Sequence, residues 1–211
     1  MVKSFAWGAE PWLDVTEATI DRRGTGGAML RVEEKKYLYW LLRDCYEGKG
    51  TVLDLGPLLG GSTLCLTGGA LDNPTLPVGH RVEVESYDLF HYDGTWGNLA
   101  HRGIRKGDDF LALFVENIAN IKDHVKPVQG DILAVKSYDR PIEVLFVDLA
   151  KNENLMRHVM KVFYPKVMVG VGIVIHQDYK FVGMPYLKLY QQAFADYFEL
   201  LPFPADVPTV A

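Results

Sequence analysis

The sequence predicts an α/β domain built on a doubly wound, mostly parallel sheet. Three observations lead there. Short apolar runs with β-branched residues alternate with longer segments of helical period from residue 51 onward. The first of these runs, VLDL, leads directly into a glycine-rich turn, GPLLGGST. Strands interleaved with helices in this way form parallel sheets covered on both faces.

Taken in order, the first 28 residues read as irregular, with Pro11, Gly24, Gly26 and Gly27 as breakers. They form an N-terminal extension, a lid or a dimer arm, ahead of a domain spanning 29–211. A helix is expected over 29–46, burying Leu30, Tyr37, Leu38, Leu41 and Cys45, and ending at Gly48 and Gly50. Strands follow at Thr51–Leu55, Arg81–Asp88, Val125–Gln129, Ile142–Asp148 and Gly172–His176. Helices are expected over 62–70, from an Asp108 cap to Ile121, over 152–163 and over 184–197. At the end, FELLPF, a proline-containing turn and VPTVA read as an antiparallel hairpin, which brings the sheet to seven strands. The chain stops inside that last strand, so a continuation is expected.

Composition narrows the function. The chain has 211 residues, 48% hydrophobic and 23% charged, ordinary for one globular domain. A formal net charge of −5 with no basic block argues against nucleic acid or an anionic membrane as partner. MVKSFAWGAEPW lacks the apolar run of a signal peptide, and Val167–Ile175 is too short to span a bilayer. Cys45 and Cys65 sit in apolar helical contexts, which disfavours a disulfide or a cysteine metal site. A soluble cytoplasmic protein, monomeric or a homo-oligomer, is expected.

Ligands of open α/β sheets sit beyond the carboxyl ends of the strands, and the glycine turn lies at such an end. Gly56 suits a positive φ at a tight exit, and Gly60 and Gly61 leave backbone bare. Ser62 opens a helix whose amides attract a carboxylate or phosphate. A dinucleotide fingerprint needs glycine where Leu58 stands, which counts against a nicotinamide-dependent oxidoreductase, and a phosphate-binding Walker loop needs a lysine that the turn lacks. A plain strand–helix turn explains the same residues. Asp88, at the end of the second strand, can accept from both ribose hydroxyls or stand as a solvated acid. Asp131, past the third strand, can read an adenine amino group or cap a helix. Together the three describe a groove for an adenosine bearing an amino-acid tail.

The ordered series DLGPLLGGST, YDLF, QGDIL, FVDLAK, YPK and GIVIHQDY resembles class I S-adenosylmethionine-dependent methyltransferases, closest to small-molecule O-methyltransferases of sugar (macrocin) and catechol type. The resemblance covers about Gly26 to the C-terminus. It implies that Asp54, Gly56, Gly60 and Ser62 surround the methionine part of S-adenosyl-L-methionine, with Asp88 at the ribose and Asp131 at the adenine. The acceptor it implies is a small hydroxylated molecule.

Asp148, Gln177 and Asp178 end adjacent strands, so their oxygens converge, a set suited to Mg²⁺ or another hard divalent cation, though each acid can equally cap a loop. In the sugar O-methyltransferases the position of Gln177 is usually acidic, and that of Ala150 carries an acidic base. Lys151 instead matches the D-x-x-K spacing of the catechol type, where the lysine is the base. Next to a cation and a sulfonium its pKa is expected to fall. His176 is the second candidate base; a solvated lysine and a packed histidine are the plain alternatives. The departures at Gln177 and Ala150 leave a non-catalytic cofactor-binding module open. The loop FHYDGTWGNLAHRGIRKG, from Phe90 to Gly107, is expected to flank the cofactor, with aromatics that stack on adenine or shape an acceptor pocket, or to be a polar surface loop.

Overall fold

A computed structural model describes residues 10–24, 29–95 and 97–204. In chain order these form α1 (Glu17–Asp21), α2 (Val32–Trp40), β1 (Thr51–Leu55), α3 (Gly61–Leu71), β2 (Val84–Asp88), α4 (Gly97–Ala100) and α5 (Leu111–Asn117). There follow β3 (Val125–Gln129), β4 (Ile142–Val147), α6 (Glu153–Val162), β5 (Ile173–His176) and α7 (Pro185–Ala193). The five strands pair in parallel in the order β3-β2-β1-β4-β5. The order reverses beside β1, and the crevice between the ends of β1 and β4 is the topological switch point where such sheets bind ligands.

Alternation along the strands divides the core. Val52, Val84, Val144, Phe146, Ile173 and Ile175 pack with α2 and α3 on one face. Leu53, Leu55, Leu145, Val147 and Val174 pack with Met156 and Val159 of α6 and Leu187 of α7 on the other. The sheet is therefore doubly wound because its strands are apolar on both faces.

Several expected elements are shorter than the sequence suggests. The helix expected over 29–46 is α2 followed by a π-helical turn, Leu41–Cys45, ending at Tyr46 in extended conformation. Asp108 caps no helix; its carboxylate accepts the Arg105 amide at 2.8 Å, while Asp109 accepts the amide of Leu111 at 2.8 Å. The buried carboxylate of Glu143 accepts amides of Lys49 (2.6 Å) and Gly50 (2.8 Å) and so closes the α2–β1 connection.

The expected seven-stranded sheet with an antiparallel C-terminal hairpin is corrected to five parallel strands among the described residues. FELLPF forms no strand. Pro202 and Pro204 have no amide to give to a ladder, and the apolar residues pack instead: Phe198 onto the α6 face, Leu201 and Phe203 onto the α2 face. The expected partner strand, VPTVA, lies outside the described residues.

Of the N-terminal extension, residues 10–24 pack against the domain. Trp12 is buried and meets Tyr37 and Trp40 edge-on, with centroids 5.1 and 5.7 Å apart. Arg22 and Arg23 pair with Asp72 at the end of α3. The expected lid or dimer-arm segments fall partly on residues outside the described ones.

Helices α2 and α3 meet through a glycine pair. A Cβ on Gly69 would collide with the backbone carbonyl of Tyr39, whereas one on Gly68 would meet the flexible Arg23 side chain at 3.3 Å and the Tyr39 ring in ordinary contact at 3.5 Å. Gly69→Ala is therefore expected to lower stability by about 1–3 kcal/mol through overpacking, while Gly68→Ala gains roughly the 1 kcal/mol of helix propensity that glycine forgoes. Urea unfolding of the two variants checks this.

Candidate active site at the strand ends

The site begins with Asp54, fully buried in the central strand. Ser62 Oγ donates to both its oxygens (2.9 and 3.0 Å) and Thr63 Oγ1 donates to Oδ2 (2.6 Å). The carboxylate thus anchors the first turn of α3. Burial pushes its pKa up to about 7, the hydroxyl donors oppose this, and the nearby Asp148 and Asp88 add to it.

Gly56 and Gly60 adopt φ of 96° and 92°. Their missing side chains make room for the protein itself. A Cβ on Gly56 would lie 2.9 Å from the Leu149 amide, and one on Gly60 2.7 Å from Ile118 Cγ2. The bare glycines let the β1 turn close onto the β4 turn and onto the segment after α5.

Asp88 ties two strained turns together. Its Oδ2 accepts the amide of Leu58 (3.2 Å) and its Oδ1 that of Phe90 (2.9 Å). Both residues have a left-handed backbone, φ 49°, which costs a bulky residue on the order of 1 kcal/mol or more. The pKa of Asp88 is raised by burial against these amide donors. Beside it, the Gly130 amide donates to the Asp88 carbonyl (2.9 Å). Exposed Asp131 accepts the amide of Leu133 at 2.9 Å and caps a short 3-10 turn. Tyr87, Gly130, Asp131, Ala134 and Val135 border a recess of about 230 Å³ between the ends of β2 and β3.

On the other side of the crevice, β4 and β5 bring Asp148, Gln177 and Asp178 together, as their adjacency predicts. The Gln177 amide donates to the Val147 carbonyl (3.1 Å), and Asp178 turns with φ 65°. At the meeting point stands Nζ of Lys151. It pairs with Asp148 Oδ1, and donates to Asp178 Oδ2 at 2.7 Å and Gln177 Oε1 at 3.1 Å. The side chains of Asp148, Asp178 and Lys151 are 24%, 21% and 33% exposed, so the cluster lines the crevice wall. Burial raises the Asp148 pKa to about 6 against the attraction of Lys151, and Asp178 and Glu34 of α2 raise it further.

This arrangement holds Lys151, the expected base, as an ion-paired ammonium. Burial acts to lower its pKa, but the two carboxylates outweigh burial and the net shift is upward. An ammonium has three N–H donors, and all three are used. His176, the second candidate base, takes the packed alternative. It is fully buried, its pKa pushed down to about 4 by burial, with Nε2 2.6 Å from the Tyr164 hydroxyl and Nδ1 without a partner. It packs beneath the site and offers no exposed ring nitrogen to a ligand.

The oxygens expected to hold a divalent cation therefore surround an ammonium, and a metal ion there would have to displace it. With Lys151 in place the residues do not fit Mg²⁺. Among the described residues no group of three or more His, Cys, Asp or Glu side chains forms a metal site. The loop after β2 also differs from expectation. Phe90 and Tyr92 are buried with Phe110 and Phe114, the Phe90 and Phe114 centroids 4.9 Å apart, and so do not face a cofactor. Sequence reading missed the left-handed Leu58 and Phe90, whose role depends on Asp88 accepting from both. It also missed Tyr186, whose hydroxyl donates to the Ala150 carbonyl (2.8 Å) and braces the Asp148–Lys151 turn.

No protein-family model matches the chain, and no curated protein matches it. Solved structures do. CalS11, a calicheamicin methyltransferase, aligns at a TM-score of 0.53 and 14% identity over 84% of this chain and 76% of its own. Its apo form, described as a TDP-rhamnose 3′-O-methyltransferase of calicheamicin biosynthesis, aligns at 0.53 and 15%, over 84% and 75%. The methyltransferase PaMTH1 of Podospora anserina, with S-adenosylhomocysteine bound, aligns at 0.50 and 14% over 98% of this chain and 86% of its own. The fold is that of the class I S-adenosylmethionine-dependent methyltransferases.

The buried Asp54 makes stability depend on pH. Its folded pKa of about 7 lies above the ordinary 3.8, so between these values the folded chain holds a proton that the unfolded chain has released. Stability from this group is therefore lost as pH rises toward 7 and levels off above it. Urea midpoints from pH 5 to 8 are expected to fall for the wild type and to fall less for Asp54→Asn.

Proposed function

We propose that this chain is an S-adenosylmethionine-dependent O-methyltransferase acting on a hydroxyl of a small metabolite, a sugar or another natural product. The carrying observation is the methyltransferase fold, with Asp88 and Asp148 at the strand ends beside its switch-point crevice. An anionic crevice suits a ligand that carries a sulfonium and an ammonium. Asp88 at the end of β2 keeps lone pairs for a ribose diol beyond the two amides it accepts. The recess bordered by Asp131 lies one strand further and supports a place for the adenine. The sugar O-methyltransferase among the neighbours supports a hydroxyl acceptor.

When bound, the donor supplies a methyl carbon on sulfur. An acceptor hydroxyl held in line with that carbon would take the methyl group and give its proton to solvent, and Asp88 would hold the donor's ribose. The chain contributes position and field. Its carboxylates favour the charged donor over the neutral thioether product, so the product is held less tightly and released.

One observation favours a second reading, a cofactor-binding module without turnover. Lys151 is fully engaged and His176 is buried, so neither expected base is free. Labelled methyl donor incubated with nucleotide sugars and catechols separates the two readings, because binding without transfer supports the module.

Thermal shift identifies the ligand class. S-adenosylhomocysteine at about 100 times its Kd is expected to add roughly 2.7 kcal/mol of stability, a melting shift of several degrees, while NADH adds none. Asp88→Asn is expected to weaken this binding by about tenfold, roughly 1.4 kcal/mol. A shift with NADH alone would return the chain to the oxidoreductases.

A further inference from the structure

We propose that Lys151 is the resident cation of this crevice: its ammonium stands where a divalent ion would bind Asp148, Gln177 and Asp178, and the protein works without a metal. The crevice is the one assigned above to methyl transfer, and only the catalytic consequence rests on that assignment.

Three features carry the inference. The first is position. Nζ lies at the common meeting point of oxygens from two strand ends, at 2.7 Å from Asp178 Oδ2 and 3.1 Å from Gln177 Oε1, and pairs with Asp148. The second is saturation. Three donors meet three acceptors, which leaves the ammonium no proton for a substrate and no lone pair for a base. The third is the ligand set. A site for a hard divalent ion gains from carboxylates, yet one of the three groups is a neutral amide, which suits an ammonium better than Mg²⁺. The surrounding elements reinforce the fit. Tyr186 of α7 pins the Ala150 carbonyl at 2.8 Å, so the Asp148–Lys151 turn that presents the ammonium is braced. The Asp148 Oδ1 contact spans three residues of one turn, while Asp178 lies 27 residues away, so the lysine also joins β4 to β5.

Removal of the ammonium should create the metal site. Two carboxylates left facing each other without a counter-charge either take up a proton or bind a cation. The test uses the full chain and Mn²⁺ alone, followed by electron paramagnetic resonance and calorimetry. Lys151→Met is expected to bind Mn²⁺ at least about tenfold more tightly than the wild type. Lys151→Arg should behave as the wild type, and adding Asp178→Asn to Lys151→Met should abolish the gain. Circular dichroism verifies that each variant is folded. If Lys151→Met does not fold, Asp178→Asn alone decides: unchanged weak Mn²⁺ binding supports the proposal. Tight Mn²⁺ binding by the wild type that Asp178→Asn removes would overturn it, as would a folded Lys151→Met that binds no better than the wild type. Methyl transfer, where observed, should persist in EDTA. Absence of transfer with any acceptor would count against the enzymatic reading and leave the Mn²⁺ result standing.

Discussion

The buried carboxylate of Asp54 sets the geometry on which the rest depends. A carboxylate with no access to water needs donors, and the nearest are the hydroxyls of Ser62 and Thr63. Meeting them fixes where α3 begins relative to the end of β1, and the intervening turn must then be tight. That requirement places Gly56 and Gly60 in left-handed conformations and Leu58 in a strained one. Asp88 completes the device from the neighbouring strand by accepting the Leu58 amide. A single desolvated carboxyl group in the central strand thus propagates into the shape of the crevice mouth.

The electrostatics of the crevice follow from topology. In a parallel sheet every strand delivers its carboxyl end to the same edge, so acids at strand ends accumulate there. Asp54, Asp88 and Asp148 each have a raised pKa, with burial as the first cause. On the β5 side the accumulation is relieved by Lys151, which joins Asp148 to Asp178. The two halves therefore differ in charge. On the β1–β2 half Asp88 meets backbone amides and no cation, while the β4–β5 half is internally compensated.

Much of the fold was readable from residue pattern. TVLDL and IEVLFV are apolar on both faces, and the glycine turn marks the first crossover. The failures have particular causes. FELLPF has the apolar content of a strand, yet Pro202 and Pro204 cannot pair, and its side chains find core positions on both faces of the sheet. Phe90 and Tyr92 of the loop after β2 read as ligand contacts or as part of a surface loop but bury among Phe110 and Phe114, because a loop that long needs its own small core. The glycines were legible as a turn, but their neighbours, Leu149 and Ile118, come from distant segments.

What the sequence determined by itself was the class of fold and the edge of the sheet at which the glycine turn and the strand-end acids gather. Alternating apolar runs and the glycine turn are local, and parallel strands leave one edge for ligands. What only the tertiary structure decided was the state of the groups gathered there. Lys151 reads as a base when its spacing from Asp148 is considered alone. It becomes a locked ammonium because β5 delivers Gln177 and Asp178 to the same point. His176 reads as a base or a packed histidine at a strand mouth, and it is a buried ring that meets the Tyr164 hydroxyl. Protonation state depends on desolvation and on charges brought in from elsewhere in the chain, and neither is written in the spacing of a motif.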